Sequence, residues 1–177
     1  MAPPKLAARA KSGNTTHSTR KQPINPDDIE DGRKQFHKLF VDSKVIAQVD
    51  FDLCWPKQDY TVSPAKIIDP FLQNLADKGV LPAEKALKVI LDKHRIAYLP
   101  IDRYDVDIEL SRTFPQSTLK RWCVLPFDRM SKSILVATTN PFNKQVAAEL
   151  EETTKQRIIW YLVHPTELVK VLSKVIR

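Results

Sequence analysis

The chain has 177 residues, 42% of them hydrophobic and 28% charged, and a formal net charge of +7, which suits a soluble globular protein of one ordinary domain or two small ones. No apolar run approaches the roughly 18 residues that cross a bilayer as a helix, so a transmembrane segment is not expected. Five bases and no acid fall within residues 1–24 (Lys5, Arg9, Lys11, Arg20, Lys21), leaving the rest of the chain nearly neutral. That stretch is rich in Pro, Ser, Thr and Ala and cannot bury enough apolar surface to fold, so residues 1–24 are expected to form a disordered basic tail. Duplex nucleic acid needs its basic face on a rigid element, which argues against nucleic acid as a partner. Pro3, Pro4 and Gly13 interrupt the amphipathic helix of a transit peptide, and the apolar core of a secretory signal is absent.

After the tail, Asn25-Pro26-Asp27-Asp28 predicts a helix start, with an Asn cap, Pro at the first position and acids where the helix dipole favours them. Ile29, Phe36, Leu39 and Phe40 follow at helical spacing. Ser63-Pro64 repeats the signal, and Ile67, Ile68, Phe71, Leu72 and Leu75 form the stripe of a second helix that Gly79 stops. A third helix runs from Pro82 to Lys93, with Leu87, Ile90 and Leu91 inward and Glu84 and Lys88 as an outward i,i+4 pair. From Ile96 the helical period gives way to β-prone runs at 97–101, 123–127, 133–138 and 158–163, separated by helices at 107–120, 144–155 and 165–176. Residues 129–132 read as the turn of a hairpin without the usual Asn-Gly. The predicted fold class is α+β: an N-terminal helical subdomain over 25–95, then a small α/β subdomain over 96–177 on a three- to four-stranded sheet.

Chemistry is poorly provided for. A phosphate-cradling loop needs closely spaced glycines, and Gly13, Gly32 and Gly79 are too far apart for either common nucleotide loop. His17, His37, His94 and His164 are scattered without a ligand-spaced partner, so no metal site is expected. Asp102, Asp105, Asp107 and Glu109 cluster on a strand-to-helix connection, where caps and solvated charges are the simpler reading. Cys54 and Cys123 read as reduced core thiols, and Trp55, Trp122, Trp160 and Tyr161 as core or interface anchors. No catalytic residue, cofactor or metal is assigned.

Four pieces stand in order in the second half: Tyr98-Leu99-Pro100-Ile101, Tyr104-Asp105-Val106-Asp107, Val124-Leu125-Pro126, and Ala137 to Asn140-Pro141. Together they resemble the α/β part of the N-terminal domain of the assembly ATPases of bacterial type II secretion and type IV pilus machines. Many members of that family carry, before this block, two 24-residue helical units that bind cyclic di-GMP, each approximately R-L-G-x-x-L-x-x-x-G-x-I-x-x-x-x-L-x-x-A-L-x-x-Q. On this chain the second unit would run from Pro70 to Lys93: Leu75, Gly79 and Leu81 match, Phe71 and Ile90 substitute acceptably, but Pro70, Leu72 and Lys93 replace the Arg, first Gly and Gln. An echo of the first unit begins near Gln35, with Phe40, Ile46, Phe51 and Gln58 on motif positions and His37 and Lys44 in place of both glycines.

The resemblance implies a non-enzymatic assembly domain for protein transport, cytoplasmic and peripheral to the inner membrane. Its implied partners are the cytoplasmic domain of an inner-membrane platform protein and, if the chain is truncated, the ATPase domain of the parent motor. Lys85, Lys88, Lys93 and Arg95 lie on or just beyond the third helix and are the candidate docking residues. The alternatives are a cyclic di-GMP sensor and a nucleic-acid-binding adaptor that uses the basic tail.

Overall fold

The computed structural model describes residues 25–176, so the tail expected at 1–24 lies outside the described residues. Asn25 does cap: its side chain accepts from the Asp27 amide at 3.2 Å. The helix it starts is only the 3-10 turn Pro26–Asp28, because Ile29 is already extended. The longer helix α1 begins instead at Arg33, spans Arg33–His37 and continues through a π-type turn at Lys38–Asp42. The shift has a tertiary cause. Gly32 takes a left-handed φ of 88° and packs against Asn140, whose amide donates to the Asp31 carbonyl at 2.7 Å. This contact with the second half fixes the chain just where a continuous helix would have run.

Helix α2 is Gln48–Cys54, α3 is Phe71–Asp77 and α4 is Ala83–Lys93. The second expected helix thus starts at Phe71, not near Ser63. A proline disfavours α geometry in the residue before it, and Pro70 excludes Asp69 in this way. Ile68 meanwhile donates its N–H to the Lys120 carbonyl at 2.9 Å, a bond to the other half of the molecule. Gly79 does stop α3: it sits at φ 67°, with Val80 N–H on Leu75 O at 3.0 Å and Gly79 N–H on Ala76 O at 3.1 Å, the paired bonds of a Schellman cap.

In the second half, β1 is Ala97–Tyr98, α5 Ile108–Arg112, α6 Gln116–Trp122, β2 Leu125–Met130, β3 Ser133–Thr138, α7 Lys144–Thr154, β4 Arg157–Leu162 and α8 Pro165–Val175. The first strand is shorter than expected because Pro100 lacks a donor and residues 101–103 close into a 3-10 turn. The helix expected over 107–120 is two helices, broken at Phe114-Pro115 for the reason that operates at Pro70. The turn of the β2–β3 hairpin is Ser131-Lys132, with Ser131 at φ 57°. The sheet has four strands in the order β1-β4-β3-β2, with β4 parallel to both β1 and β3 and β3 antiparallel to β2. The observed class is α+β.

Two cores form. One packs α5 to α8 around the sheet, with Leu110, Leu119, Phe127, Ile134, Val146, Leu150, Leu168 and Leu172 buried. The other is an aromatic cluster in the helical half: Phe71 meets Phe36 at 5.5 Å, Phe51 at 5.1 Å and Trp55 at 5.2 Å between ring centroids, in tilted and edge-on geometries that suit ring quadrupoles. Leu162 of β4 is buried in this second cluster, so the sheet's last strand reaches into the helical half.

Candidate functional site

Helix α4 is amphipathic because Ala83, Ala86, Leu87 and Ile90 recur at helical spacing and are buried, while Leu91 is only half-buried. Its outer face carries Lys85, Lys88 and Lys93, and Arg95 follows just past the C-cap His94; all four are exposed. Among the described ion pairs none involves these four bases. Lys85 and Lys88 share one face, and Lys93 lies about 12 Å along the axis from Lys85, turned to one side. Asp92, also exposed, stands one turn beyond Lys88 and dilutes the row, a neighbour the sequence reading left out. Lys93 at the last position also complements the helix dipole.

The expected Glu84–Lys88 pair does not form. Glu84 instead meets the Nε2 of His164 at 3.1 Å, from the residue that caps α8 through its Nδ1. Hydrogen bonds from its own backbone N–H and from His164 hold the Glu84 carboxyl below the ordinary carboxylate range. Gln73 and Thr166 add a second link at 3.1 Å, so α3 and α4 both touch the start of α8. A bond between residues 80 apart in sequence leaves no periodic signal.

The two helical units are structural repeats. Each position in the first corresponds to the one 35 residues later: Phe36 to Phe71, Phe40 to Leu75, Lys44 to Gly79, Ile46 to Leu81 and Phe51 to Ala86. The turn hydrogen bonds repeat as well. Val45 and Ile46 donate to Phe40 O, just as Val80 and Leu81 donate to Leu75 O. Lys44 takes φ 63° where its counterpart Gly79 takes 67°. The two units therefore share one backbone path, including a left-handed turn residue that is Lys in the first and Gly in the second. Gln35 and Pro70 stand where the resembling motif has Arg, and His37 and Leu72 where it has its first Gly. Gln58, at the terminal position of the first unit, donates to the Arg121 carbonyl at 3.0 Å and leaves its buried Oε1 without a partner. It lines a cavity of about 40 Å³ between the halves, together with Trp55, Phe71, Arg121 and Asn140.

The motif residues of the second half turn out to hold the fold. Tyr104 donates to the Asp128 carboxylate, which raises the phenol above its usual pKa. Asp107 caps α5 by accepting from Leu110 N at 3.0 Å, and its own N–H donates to Phe127 O at 2.9 Å. Asn140 accepts from Phe142 N at 3.2 Å while its amide reaches back to Asp31. Asp102, Asp105 and Glu109 are exposed. Both thiols are buried and free, and burial pushes Cys123 up to about 12. Trp122 donates to Glu149 at 3.2 Å. Among the described residues no helix is long and apolar enough to cross a membrane.

Residues 94–176 match the MshEN domain family. No curated protein matches the chain in sequence. In fold the chain is similar to MshE, in a structure with cdg, at a TM-score of 0.52 and 14% identity, covering 78% of this chain and 96% of that one. It is similar also to the N-terminal domain of XpsE, at 0.55 and 10% in one crystal form, covering 81% and 95%, and at 0.50 and 7% in another, covering 86% and 97%. The family match begins where α4 ends, whereas the likeness of fold takes in most of the helical half. Residues 94–176 thus resemble the MshEN domain family, and the chain as a whole is similar in fold to MshE and to the N-terminal domain of XpsE.

Proposed function

We propose that the chain is a non-catalytic docking domain that links a secretion or pilus ATPase to its inner-membrane platform, acting in the cytoplasm at the membrane periphery. The observation that carries this reading is the MshEN match joined to the fold of an ATPase N-terminal domain. The partner in this reading is the cytoplasmic domain of the platform protein, and the contact surface is the outer face of α4. Lys85, Lys88, Lys93 and Arg95 are exposed there and make none of the described ion pairs, so their charge is available to a partner. Rim charges act mainly on association rate. The double reversal Lys85→Glu/Lys88→Glu should slow association with that cytoplasmic domain several-fold, most at low salt, with circular dichroism unchanged. An unchanged rate and salt dependence would move the contact elsewhere on the domain.

A second reading, cyclic di-GMP sensing, draws on the repeated units and on the MshE structure with cdg. Gln58 and Gly79 keep their motif positions, but with Gln35 and Pro70 for Arg, His37, Lys44 and Leu72 for Gly and Lys93 for Gln, most groups that would hold phosphates or allow close backbone approach are replaced. Calorimetric titration with cyclic di-GMP should accordingly show weak binding or none. Micromolar binding that Lys93→Ala abolishes would favour the sensor instead.

A further inference from the structure

The first helical unit carries an apolar face that its twin lacks. Val45, Val49 and Leu53 stand four residues apart along α2 and the turn before it, with 39%, 73% and 60% of their surface exposed. Phe51 and Cys54, on the opposite side of α2, are buried. Val49 and Leu53 are one turn apart and present one ridge. In the second unit the positions corresponding to Val49 and Leu53 hold Glu84 and Lys88, both exposed. The same backbone thus accepts charge at this place, and the fold does not call for aliphatic side chains there. An exposed run of aliphatic side chains on a helix otherwise solvated marks a contact surface.

The flanks say what kind of contact. At 100° per residue, Asp52 lies about 60° to one side of Val49 and Asp50 about 100° to the other. Asp52 is held in place by Arg33 at 2.7 Å and Gln48 at 3.0 Å. The ridge is therefore bordered by the half-exposed Asp50 on one side and by Asp52, ion-paired with Arg33, on the other, which leaves Asp50 as the free carboxylate beside it. We propose that this face receives an amphipathic helix of a partner protein, with an aliphatic ridge and lysine or arginine on its flanks. A second copy of this chain fits poorly, because pairing α2 with itself across a two-fold axis would offer the free Asp50 carboxylate only the acidic flank of the same helix. Three side chains also fall well short of the roughly 800 Å² per partner that a stable dimer buries. The surface attracts the opposite charge from the row on α4, and the proposal holds whether or not that row docks.

The test is fluorescence anisotropy of the full chain with two labelled helical peptides of roughly 18 residues, alike in their leucine ridge and differing in flanks of Lys or Glu. The Lys-flanked peptide should bind at least about tenfold more tightly than its Glu twin, and added salt should narrow the gap. Val49→Ser/Leu53→Ser should weaken it by about tenfold or more, and Asp50→Lys should shift preference toward the Glu peptide, each with the melting temperature held. Equal affinity for the two peptides, or affinity that ignores the double substitution, overturns the proposal. A dimer in sedimentation equilibrium that Val49→Ser/Leu53→Ser dissolves overturns it in favour of self-association. A rise of about tenfold in Lys-peptide affinity on deletion of residues 1–24 overturns it in favour of the chain's own tail.

Discussion

Lys44 occupies a backbone conformation that side chains avoid, at φ 63°, whereas its repeat partner Gly79 has none to lose at φ 67°. A non-glycine residue there costs about 1–2 kcal/mol, partly offset by the entropy glycine loses on folding. Lys44→Gly should therefore stabilise the fold by about 0.5–1 kcal/mol in urea titration. A Cβ at Gly79 meets nothing within 4 Å, so Gly79→Ala isolates the conformational penalty and should cost about 1 kcal/mol. The burial of Cys123 has a consequence at alkaline pH. An unfolded thiol ionises near 9.0 but the folded one only at about 12, so its contribution is fully present below pH 9 and is lost as pH rises from 9 toward 12. Stability should fall in that window by on the order of 1.4 kcal/mol per pH unit more in the native chain than in Cys123→Ala, measured by urea titration across the range.

At the scale of elements, the junction of Gly32 with the β3–α7 turn is the contact most open to test. A Cβ on Gly32 would lie 2.5 Å from Asn140 Oδ1, and its φ of 88° adds strain. Gly32→Ala should cost about 2 kcal/mol. Asn140→Ala should cost about 1–3 kcal/mol by leaving the Asp31 carbonyl and the Phe142 N–H unpaired. The double variant should lose less than the two single losses together, since removing the Asn140 side chain removes the clash; urea titration of all four chains closes the cycle. This junction also marks where sequence reading ran short. Helices α4, α7 and α8 were legible within a residue or so because apolar period, caps and length agreed. The starts near Asn25 and Ser63 misled because the cap signal is local, while Asn140 at one site and Pro70 with Lys120 at the other decide the path. Lys85, Lys88 and Lys93 were legible as exposed from the apolar period of α4, whereas Arg95 lies past its end, where that period says nothing. The His164–Glu84 contact was not, since nothing in either segment points to the other.

Across the whole molecule, the two cores are coupled by more than adjacency. Leu162 lies inside the aromatic cluster, Ile67 packs on the sheet's core, and the Ile68 N–H and the Gln58 amide bind carbonyls of α6. Arg121 returns the contact, donating to the carbonyls of Asp59 at 2.9 Å and Val62 at 2.6 Å. Residues 25–176 should therefore melt in one transition, with calorimetric and van't Hoff enthalpies in agreement. The isolated helical half, residues 25–95, should lose its near-ultraviolet aromatic signal, because Leu162 and Phe142 complete its cluster. Two separate transitions would show that each half folds on its own.

The junction near Gly32 has a mechanical side. Glu30 O accepts from the amides of Lys144 at 2.9 Å and Gln145 at 3.2 Å, and Asp31 O accepts from Asn140 at 2.7 Å. A pull on the chain ahead of Asn25 thus meets these three bonds, anchored at the start of α7, before any helix of the aromatic cluster. Tension entering from the N-terminal side is handed first to the α/β layer, with the Trp55 indole on the Asp31 carboxylate as the one link among the described residues that shares it with the helical half at that point.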